Sequence, residues 1–345
     1  MKISLFFFGA DSDREDKYRL LFDAVKFADT NGFHAVWVPE RHFMRFGGLY
    51  GNPAVTAAAL AAISTRLQIR AGSVVVPLHH PLEIAEAWSM IDHFSGGRAG
   101  IAVASGWHVD DFVLAPANFA ERRRILIEHI GVVRRLWNGE RVAFRNGEGV
   151  DTEVGILPRP LRPDIPIWLT AVSDEGCIAA AEQGFGVLTS NFNNQYSLDV
   201  LRRKIGVYRQ RQQALRMAPG QVTLMMHAFV GESREAIAQR AAPAMAAYLR
   251  NVVEMQSAQD RGLGVDRGYG ALDGRRLDTF LRLRSMANIH SELSFVGTHD
   301  DCVERALRLR EAGVDEIACL IDFGPSYDDT MASLQRLADV IRSVN

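Results

Sequence analysis

Three consecutive side chains, those of Glu40, Arg41 and His42, place a carboxylate, a guanidinium and an imidazole directly after a short apolar run. A histidine titrates near neutral pH and an arginine keeps its charge, so this group could transfer protons and hold an anion. The same side chains could instead brace a loop by ion pairing. We expect at least one of the three to serve function.

A second imidazole follows another apolar run, residues 98–104, which leads into Ser105, Gly106, Trp107 and His108. An indole can stack on an aromatic ligand, and an imidazole on a loop can form hydrogen bonds or move protons. Trp107 could equally plug the rim of a barrel. His108 is therefore a candidate catalytic residue and Trp107 an ambiguous one.

Gly72 and Ser73 interrupt the apolar run at residues 67–76. A glycine within a strand permits close approach, either of a flat ligand or of a packed neighbour. The local sequence does not separate these two explanations.

Ser173 and Gly176 lie where residues 165–171 run straight into a helical pattern. The free N–H groups and the dipole of a helix N-terminus attract phosphate. Asp174 and Glu175 would repel phosphate if they pointed inward, but they are also ordinary partners of the dipole in a first turn. Ser-x-x-Gly is common, and this signal is weak by itself.

Several catalytic signatures are missing from the sequence. The adjacent His79 and His80 stand between prolines without a nearby acidic or cysteine partner, so we expect no metal site. The three cysteines lie far apart, which argues against disulfides and favours a reducing cytoplasm. There is no dinucleotide-binding glycine motif, Walker loop or nucleophile elbow. We therefore expect a bound cofactor to perform the difficult chemical step.

These residues follow β-type runs that alternate with helical patterns along the chain. The predicted strands are residues 2–8, 35–38, 67–76, 98–104, 165–171, 187–190, 222–230 and 316–321. Eight strand–helix units predict an α/β fold, a parallel (β/α)8 (TIM) barrel that forms one domain over residues 1–345. A doubly wound open sheet is the competing arrangement. In a barrel, the carboxyl ends of the strands would carry the site.

Three further segments carry structural predictions. Residues 141–149 contain an Asn-Gly turn and predict a surface hairpin. Residues 251–295, with glycines at 262, 264, 268 and 270, form an insertion after the seventh strand, which predicts a lid or a disordered excursion. The alanine-rich helix at residues 53–64 predicts a homodimer, or else packs internally.

The overall composition excludes some functions. A net charge of −2 offers no attraction to nucleic acid or to an anionic membrane. No window resembles a membrane span or a secretory signal. We expect a soluble cytoplasmic protein.

The sequence resembles the bacterial luciferase-like monooxygenases over nearly its whole length. The motifs are Pro-Glu-Arg-His-Phe at 39–43, Pro-Leu-His-His-Pro at 77–81, Ile-Asp-His-Phe-Ser-Gly-Gly-Arg at 91–98, Ser-Gly-Trp-His at 105–108, Phe-Val-Gly-Thr at 295–298 and Glu-Ala-Gly-Val-Asp-Glu at 311–316. The finer match resembles a subgroup found in natural-product pathways, often beside polyketide and non-ribosomal peptide synthases.

The resemblance implies a barrel that receives reduced FMN from a separate flavin reductase. In the family, dioxygen adds at the flavin C4a position, and the resulting hydroperoxide is kept from water until it oxygenates the substrate. That substrate would be a natural-product intermediate, free or tethered to a carrier protein, and a homodimer is common. Hydroxylation and Baeyer–Villiger insertion both stay open.

The resemblance also assigns cofactor contacts by position. Gly72-Ser73 matches the turn under the isoalloxazine, often a cis peptide, and Ala104 and Ser105 match flavin contacts after the fourth strand. The phosphate loop matches Ala171, Val172, Ser173 and Gly176, and Asn191 matches a residue beside the isoalloxazine.

Departures from the luciferases occur at three positions. Arg41 replaces a histidine, Ala104 a reactive cysteine and Ser105 a phosphate-binding arginine. Light emission is therefore not expected, and Arg41 could hold an anionic peroxide, a substrate carboxylate or a carbonyl oxygen. The alternatives are a deazaflavin (F420)-dependent hydride-transferring oxidoreductase and a non-catalytic flavin-binding protein.

Overall fold

The computed structural model describes residues 1–9, 15–190, 197–263 and 274–345, with residues 255–263 as backbone only. The strands are β1 (Lys2–Phe6), β2 (Ala35–Val38), β3 (Gln68–Val75), β4 (Ala99–Ala104), β5 (Val142–Arg145), β6 (Asp151–Val154), β7 (Ile167–Thr170), β8 (Gly186–Ser190), β9 (Val222–Val230), β10 (Phe295–Gly297) and β11 (Glu316–Leu320). The helices are α1 (Arg19–Thr30), α2 (Pro53–Ile63), α3 (Pro81–Ser95), α4 (Arg122–Trp137), α5 (Asp174–Glu182), α6 (Leu198–Ala214), α7 (Arg234–Leu263), α8 (Gly274–Ile289), α9 (His299–Glu311) and α10 (Tyr327–Val344).

The parallel strands close into a barrel. Their order is β1-β2-β3-β4-β7-β8-β9-β11, and β11 pairs back onto β1. The predicted eight-stranded (β/α)8 barrel is confirmed, and the open sheet is excluded because every one of these strands has two neighbours. The short β10 pairs with the last residues of β9. β5 and β6 form the predicted antiparallel hairpin on the surface.

Local signals in the sequence fix where several helices begin and end. The Asn52 side chain accepts hydrogen bonds from Ala54 N–H and Val55 N–H, and Pro53 opens α2. Pro81 opens α3, which ends at Gly96 in the left-handed conformation. These caps orient the helices and hence the strand-end loops.

Helix α2 places part of its alanine stripe against its own barrel. Ala57 and Ala61 are buried beside Leu60, while Val55 is largely exposed. The internal packing that competed with the dimer prediction accounts for the buried alanines. The homodimer itself stays a prediction.

The segment at residues 251–295 begins inside α7 and continues into α8. On α7, Ala241, Met245, Tyr248, Leu249 and Val252 recur at helical spacing and join a buried cluster that continues into the barrel interior. Arg250 forms an ion pair with Asp278, and Ser285 Oγ donates to Ala242 O, so α7 and α8 pack together. Residues 264–273, which carry three of the four glycines of the proposed lid, lie outside the described residues.

A buried carboxylate joins four strands at the amino end of the barrel. Glu316 Oε1 accepts hydrogen bonds from Ser4 Oγ at 2.6 Å and Trp37 Nε1 at 2.9 Å. Its Oε2 accepts from Arg70 at 2.7 Å and from Gln221 at 3.0 Å. Burial would raise the pKa of Glu316, but these donors, chiefly Arg70, hold it below its ordinary value.

Candidate active site

Glu40, directly beyond β2, is the hub of a hydrogen-bonded group at the carboxyl end of the barrel. Its side chain is fully buried, and its Oε2 accepts from Val75 N–H at 2.7 Å. Its Oε1 lies 2.9 Å from His42 Nε2 and 2.5 Å from His79 Nε2. Burial alone would raise the pKa of Glu40, but these donors lower it. A carboxylate between two imidazoles can hold and pass a proton.

His79 is a member of this group that the sequence had suggested only as a poor metal ligand. Burial would lower the pKa of His79, but the hydrogen bond to Glu40 and its charge raise it. The neighbouring His80 instead accepts from Leu82 N–H and caps α3. The parallel pairing of β2 with β3 explains the contact, because the loops that follow the two strands leave the same end.

Arg41 lies beside this group, buried with 7% of its surface exposed. Its guanidinium carbon is 4.9 Å from the centre of the Phe8 ring and 4.7 Å from that of Trp107. Its Nε has no hydrogen-bond partner among the described residues. Burial lowers the pKa of Arg41, with the charges of Asp111 and Tyr248 opposing. A cation is thus held between aromatic rings at the barrel mouth.

The loop after β4 brings His108 and Trp107 to the same mouth. Their rings meet edge to face at 5.3 Å, and His108 Nδ1 lies 3.3 Å from Asp111 Oδ1. Arg122 of α4 donates to Gly106 O at 3.1 Å and anchors the loop. Among the described residues, no hydrogen bond or ion pair joins His108 to Glu40.

Gly72 and Ser73 lie near the carboxyl end of β3 and are joined by a cis peptide bond, as the resemblance implies. A Cβ on Gly72 would lie 2.7 Å from the Phe6 ring, inside the barrel. Packing therefore explains this glycine. Ser73 Oγ forms a hydrogen bond with Thr170 Oγ1 across to β7. Ala104 ends β4, with Val75 as its partner in the sheet, and Ser105 follows it.

The loop of Ala171 and Val172 leads into Ser173, the N-cap of α5, whose Oγ accepts from Gly176 N–H at 3.1 Å. A Cβ on Gly176 would lie 2.8 Å from Ala171 Cβ, so this glycine lets the helix pack closely against the loop. The predicted phosphate-binding residues are therefore adjacent.

Two cations from α6 accompany the phosphate loop and were missed by sequence reasoning. Arg203 forms an ion pair with Asp174, which draws that carboxylate into a pair and reduces its repulsion of phosphate. Lys204 donates to Val172 O within the loop. A basic residue here is noteworthy because Ser105 stands where luciferases have an arginine. Asn191 lies outside the described residues.

Asp322, one residue beyond Ile321 after the last strand, was also missed. Its carboxylate accepts from Phe8 N–H at 2.8 Å and from the Tyr50 hydroxyl at 3.1 Å. Burial raises the pKa of Asp322 to about 6, although these donors oppose the rise. The strand-end rule that identified Glu40 would have identified Asp322 as well.

The mouth is covered from one side by α7. Tyr248 contacts Phe46 edge to face at 5.0 Å and the His227 ring at 4.7 Å. Burial lowers the pKa of His227 to about 3, so this imidazole is neutral at pH 7. Helix α7 therefore packs against the apolar side of the mouth.

A cavity of about 620 Å³ opens at the opposite, amino end of the barrel, where Arg70, Trp168 and Gln221 line it. We do not assign the active site to this cavity, because its Arg70 is already paired with Glu316. In the part of the chain that the structure describes, no three His, Cys, Asp or Glu side chains are grouped to hold a metal. Cys177, Cys302 and Cys319 are buried, and burial raises the pKa of each thiol. None of the described helices has the length and apolar character to cross a membrane.

Comparison with known proteins agrees with this geometry. The family described as luciferase-like monooxygenase matches residues 1–316. The chain is 25% identical over 357 residues to the oxygenase component of the flavin-dependent trigonelline monooxygenase of Acinetobacter baylyi (strain ATCC 33305 / BD413 / ADP1), covering 99% of this chain and 94% of the relative.

Two solved structures share the fold. The oxygenating constituent of 3,6-diketocamphane monooxygenase from Pseudomonas putida, a type II Baeyer–Villiger enzyme in complex with FMN, superposes with a TM-score of 0.74 at 18% identity, covering 100% of this chain and 97% of that one. An F420-dependent secondary alcohol dehydrogenase superposes with a TM-score of 0.72 at 16% identity, covering 100% and 99%.

Proposed function

The chain belongs to the luciferase-like monooxygenase family, and from that premise we propose that it binds reduced FMN at the carboxyl end of its barrel and oxygenates an organic substrate with dioxygen. The proposal is supported chiefly by one combination of features at that end. A helix N-terminus with a lysine beside it stands at the same end of the barrel as a buried Glu–His group and an arginine without an ion-pair partner among the described residues. The three thiols are buried with raised pKa values, so none of them is an activated nucleophile.

The residues present fit a flavin phosphate. In the first turn of α5, Gly176 N–H donates to Ser173 Oγ and Glu175 N–H to its own carboxylate, so a phosphate would replace these acceptors. Lys204 supplies a positive charge, and the Arg203–Asp174 pair reduces the local negative charge. Ser73 and Ala104, on the neighbouring strands β3 and β4, would line the flavin ring. When bound, reduced FMN would supply the electrons with which dioxygen oxygenates the substrate.

The protein's own groups would position reactants and manage protons. Glu40 fixes the imidazoles of His42 and His79, so a proton can pass between the mouth and the buried carboxylate. His108 would serve as a separate proton donor or acceptor on the β4 loop. Helix α7 would limit the access of water, which matters because reduced flavin otherwise releases hydrogen peroxide.

We further propose that the reductant comes from a separate flavin reductase, as the name of the Acinetobacter relative, an oxygenase component, suggests. A natural-product intermediate, free or tethered to a carrier protein, is the substrate class that the motifs favour. A homodimer in the cytoplasm is the expected form.

Anaerobic titration tests the cofactor assignment. The protein is titrated with reduced FMN and, separately, with reduced F420, and each complex is then mixed with oxygenated buffer. We expect tight binding of reduced FMN and oxygen consumption matched by peroxide release when no substrate is present. Preferential binding of F420 with no reaction toward oxygen would establish the hydride-transferring alternative. FMN binding without any change in its oxidation rate would indicate a non-catalytic flavoprotein.

A further inference from the structure

We propose that Arg41 is the receptor for a carboxylate of the substrate, so that the protein oxygenates an organic anion whose apolar body covers the rim of the mouth. The inference rests on the proposed function and deepens it by naming the substrate class. It begins from a buried cation at the mouth for which the described residues offer no carboxylate partner.

Burial of an unpaired charge is costly, and proteins usually bury an arginine only with a carboxylate or several acceptors. Arg41 has 7% of its surface exposed, and its Nε is fully buried without an acceptor among the described residues. The two ring contacts, to Phe8 and Trp107, compensate only part of the lost hydration. A bound anion would supply the missing acceptors.

The carboxylates around Arg41 form no ion pair with it among the described residues. Asp111 Oδ1 lies 3.3 Å from His108 Nδ1 without a hydrogen bond between them, and its charge acts on Arg41 from a distance. Asp322 accepts from Phe8 N–H and from the Tyr50 hydroxyl. Glu40 is engaged by its two histidines and by Val75 N–H. Among the described residues, no carboxylate therefore lies within ion-pairing distance of Arg41, and the Arg41 Nε keeps no acceptor.

The surroundings indicate what the rest of the ligand is like. Trp107, which contacts the guanidinium, is 40% exposed, and Phe43 and Val113, on the loops that carry Arg41 and Trp107, are 65% and 71% exposed. Exposed apolar side chains beside a buried cation suit a molecule with one anionic group and a flat apolar body. A guanidinium fork matches the two oxygens of a carboxylate.

Benzoate and its neutral isostere benzamide test this assignment on the flavin-free protein. Each ligand is titrated by ligand-observed NMR at constant ionic strength, against wild type, Arg41→Met and Arg45→Met. Met keeps the apolar stem of Arg41 and removes its charge, and Arg45 is an exposed arginine on the same loop. We expect wild type to prefer benzoate, Arg41→Met to lose about tenfold in benzoate affinity, and benzamide to be unaffected. Arg45→Met should match wild type.

Three results would overturn the proposal. Wild type could show no preference for benzoate over benzamide, a result that can be observed without any variant. Arg41→Met could weaken benzoate and benzamide equally, which would reveal a packing role. Inorganic phosphate could displace benzoate more effectively than unlabelled benzoate does, which would assign the site to the cofactor's phosphate. Since no flavin is present, failure here is distinct from failure of the reduced-FMN titration.

Discussion

The two ends of the barrel each bury an arginine between aromatic rings, and they differ in what completes it. At the amino end, the Arg70 guanidinium carbon lies 4.8 Å from the Trp37 ring centre and 4.4 Å from that of Trp168. Arg70 also donates to Glu316, and its other terminal nitrogen lies 3.1 Å from His34 Nε2. At the carboxyl end, Arg41 has the ring contacts but no ion pair with any carboxylate in the described part of the chain.

The difference distinguishes buried charged residues that stabilise the fold from those that we propose bind a ligand. A buried charge whose partners all belong to the fold serves the fold, since removing it leaves the partner unsatisfied. A buried charge without an ion pair among the described residues does not stabilise the fold in this way, and for this reason we assign Arg41 to a ligand. In barrels, the amino end is associated with stability and the carboxyl end with chemistry, and these two arginines conform to that division.

The largest expected effect comes from breaking the amino end. Arg70→Met would leave Glu316 as a buried charge without its cation and should cost about 3–5 kcal/mol of unfolding free energy. Arg41→Met removes a charge with no described counter-ion and should change stability little or raise it. Urea denaturation of both variants at neutral pH measures the contrast. Equal losses in the two variants would mean that Arg41 is structural and that the comparison is wrong.

The barrel and its register of strand-end loops could be predicted from sequence because apolar runs and helical patterns alternate almost without interruption. Glu40, Arg41 and His108 were chosen as candidate site residues because they follow the carboxyl ends of predicted strands. The strand-end rule could not predict contacts between different loops. His79 meets Glu40 only because β2 and β3 are neighbours. The apolar stripe of α7 was obscured by the charged residues around it, and its role is evident only once the mouth is built.

The cofactor side of the carboxyl end gives the next effect. If Lys204 neutralises the flavin phosphate, Lys204→Met should weaken FMN binding by about tenfold and leave riboflavin, which has no phosphate, unchanged. Fluorescence titration of both flavins measures the difference. Arg202→Met is the matched control, because Arg202 lies on the same helix and pairs with Asp199. Equal weakening of FMN and riboflavin would place Lys204 in the fold and not at the phosphate.

Lys204 is a candidate site residue that could not be predicted from the sequence. The phosphate loop was predicted from Ser173 and Gly176, but the cation comes from α6, and no local pattern links the two. Gly72 is the opposite case, since its position was noticed but only the Phe6 contact shows that packing explains it.

The pH dependence of the stability contributed by Asp322 tests the carboxyl end further. Its pKa in the folded protein, about 6, lies above the ordinary value of 3.8, so its contribution to stability is complete below that ordinary value and is lost as pH rises through 6. Asn does not titrate. The stability of Asp322→Asn relative to wild type should therefore increase by about 1 kcal/mol from about pH 5 to about pH 8. Paired urea melts at the two pH values measure the change, and a constant difference would contradict the raised pKa.

The smallest expected effect concerns the two buried carboxylates, those of Glu40 and Glu316, each of which accepts hydrogen bonds from several donors. Those of Glu316 are a hydroxyl, an indole, a guanidinium and an amide, none of which releases a proton near neutral pH, whereas two donors to Glu40 are imidazoles. Glu40 can therefore exchange protons with its own donors, whereas Glu316 cannot. Because the hydrogen bond and charge of Glu40 raise the pKa of His79, Glu40→Gln should lower it, as followed by NMR titration of the ring signals. His34, whose pKa is lowered to about 4 chiefly by burial at the amino end, is the internal control and should not move. If His79 titrates identically in both proteins, Glu40 does not control the proton affinity of the mouth, and the proton-transfer role assigned to the group fails with it.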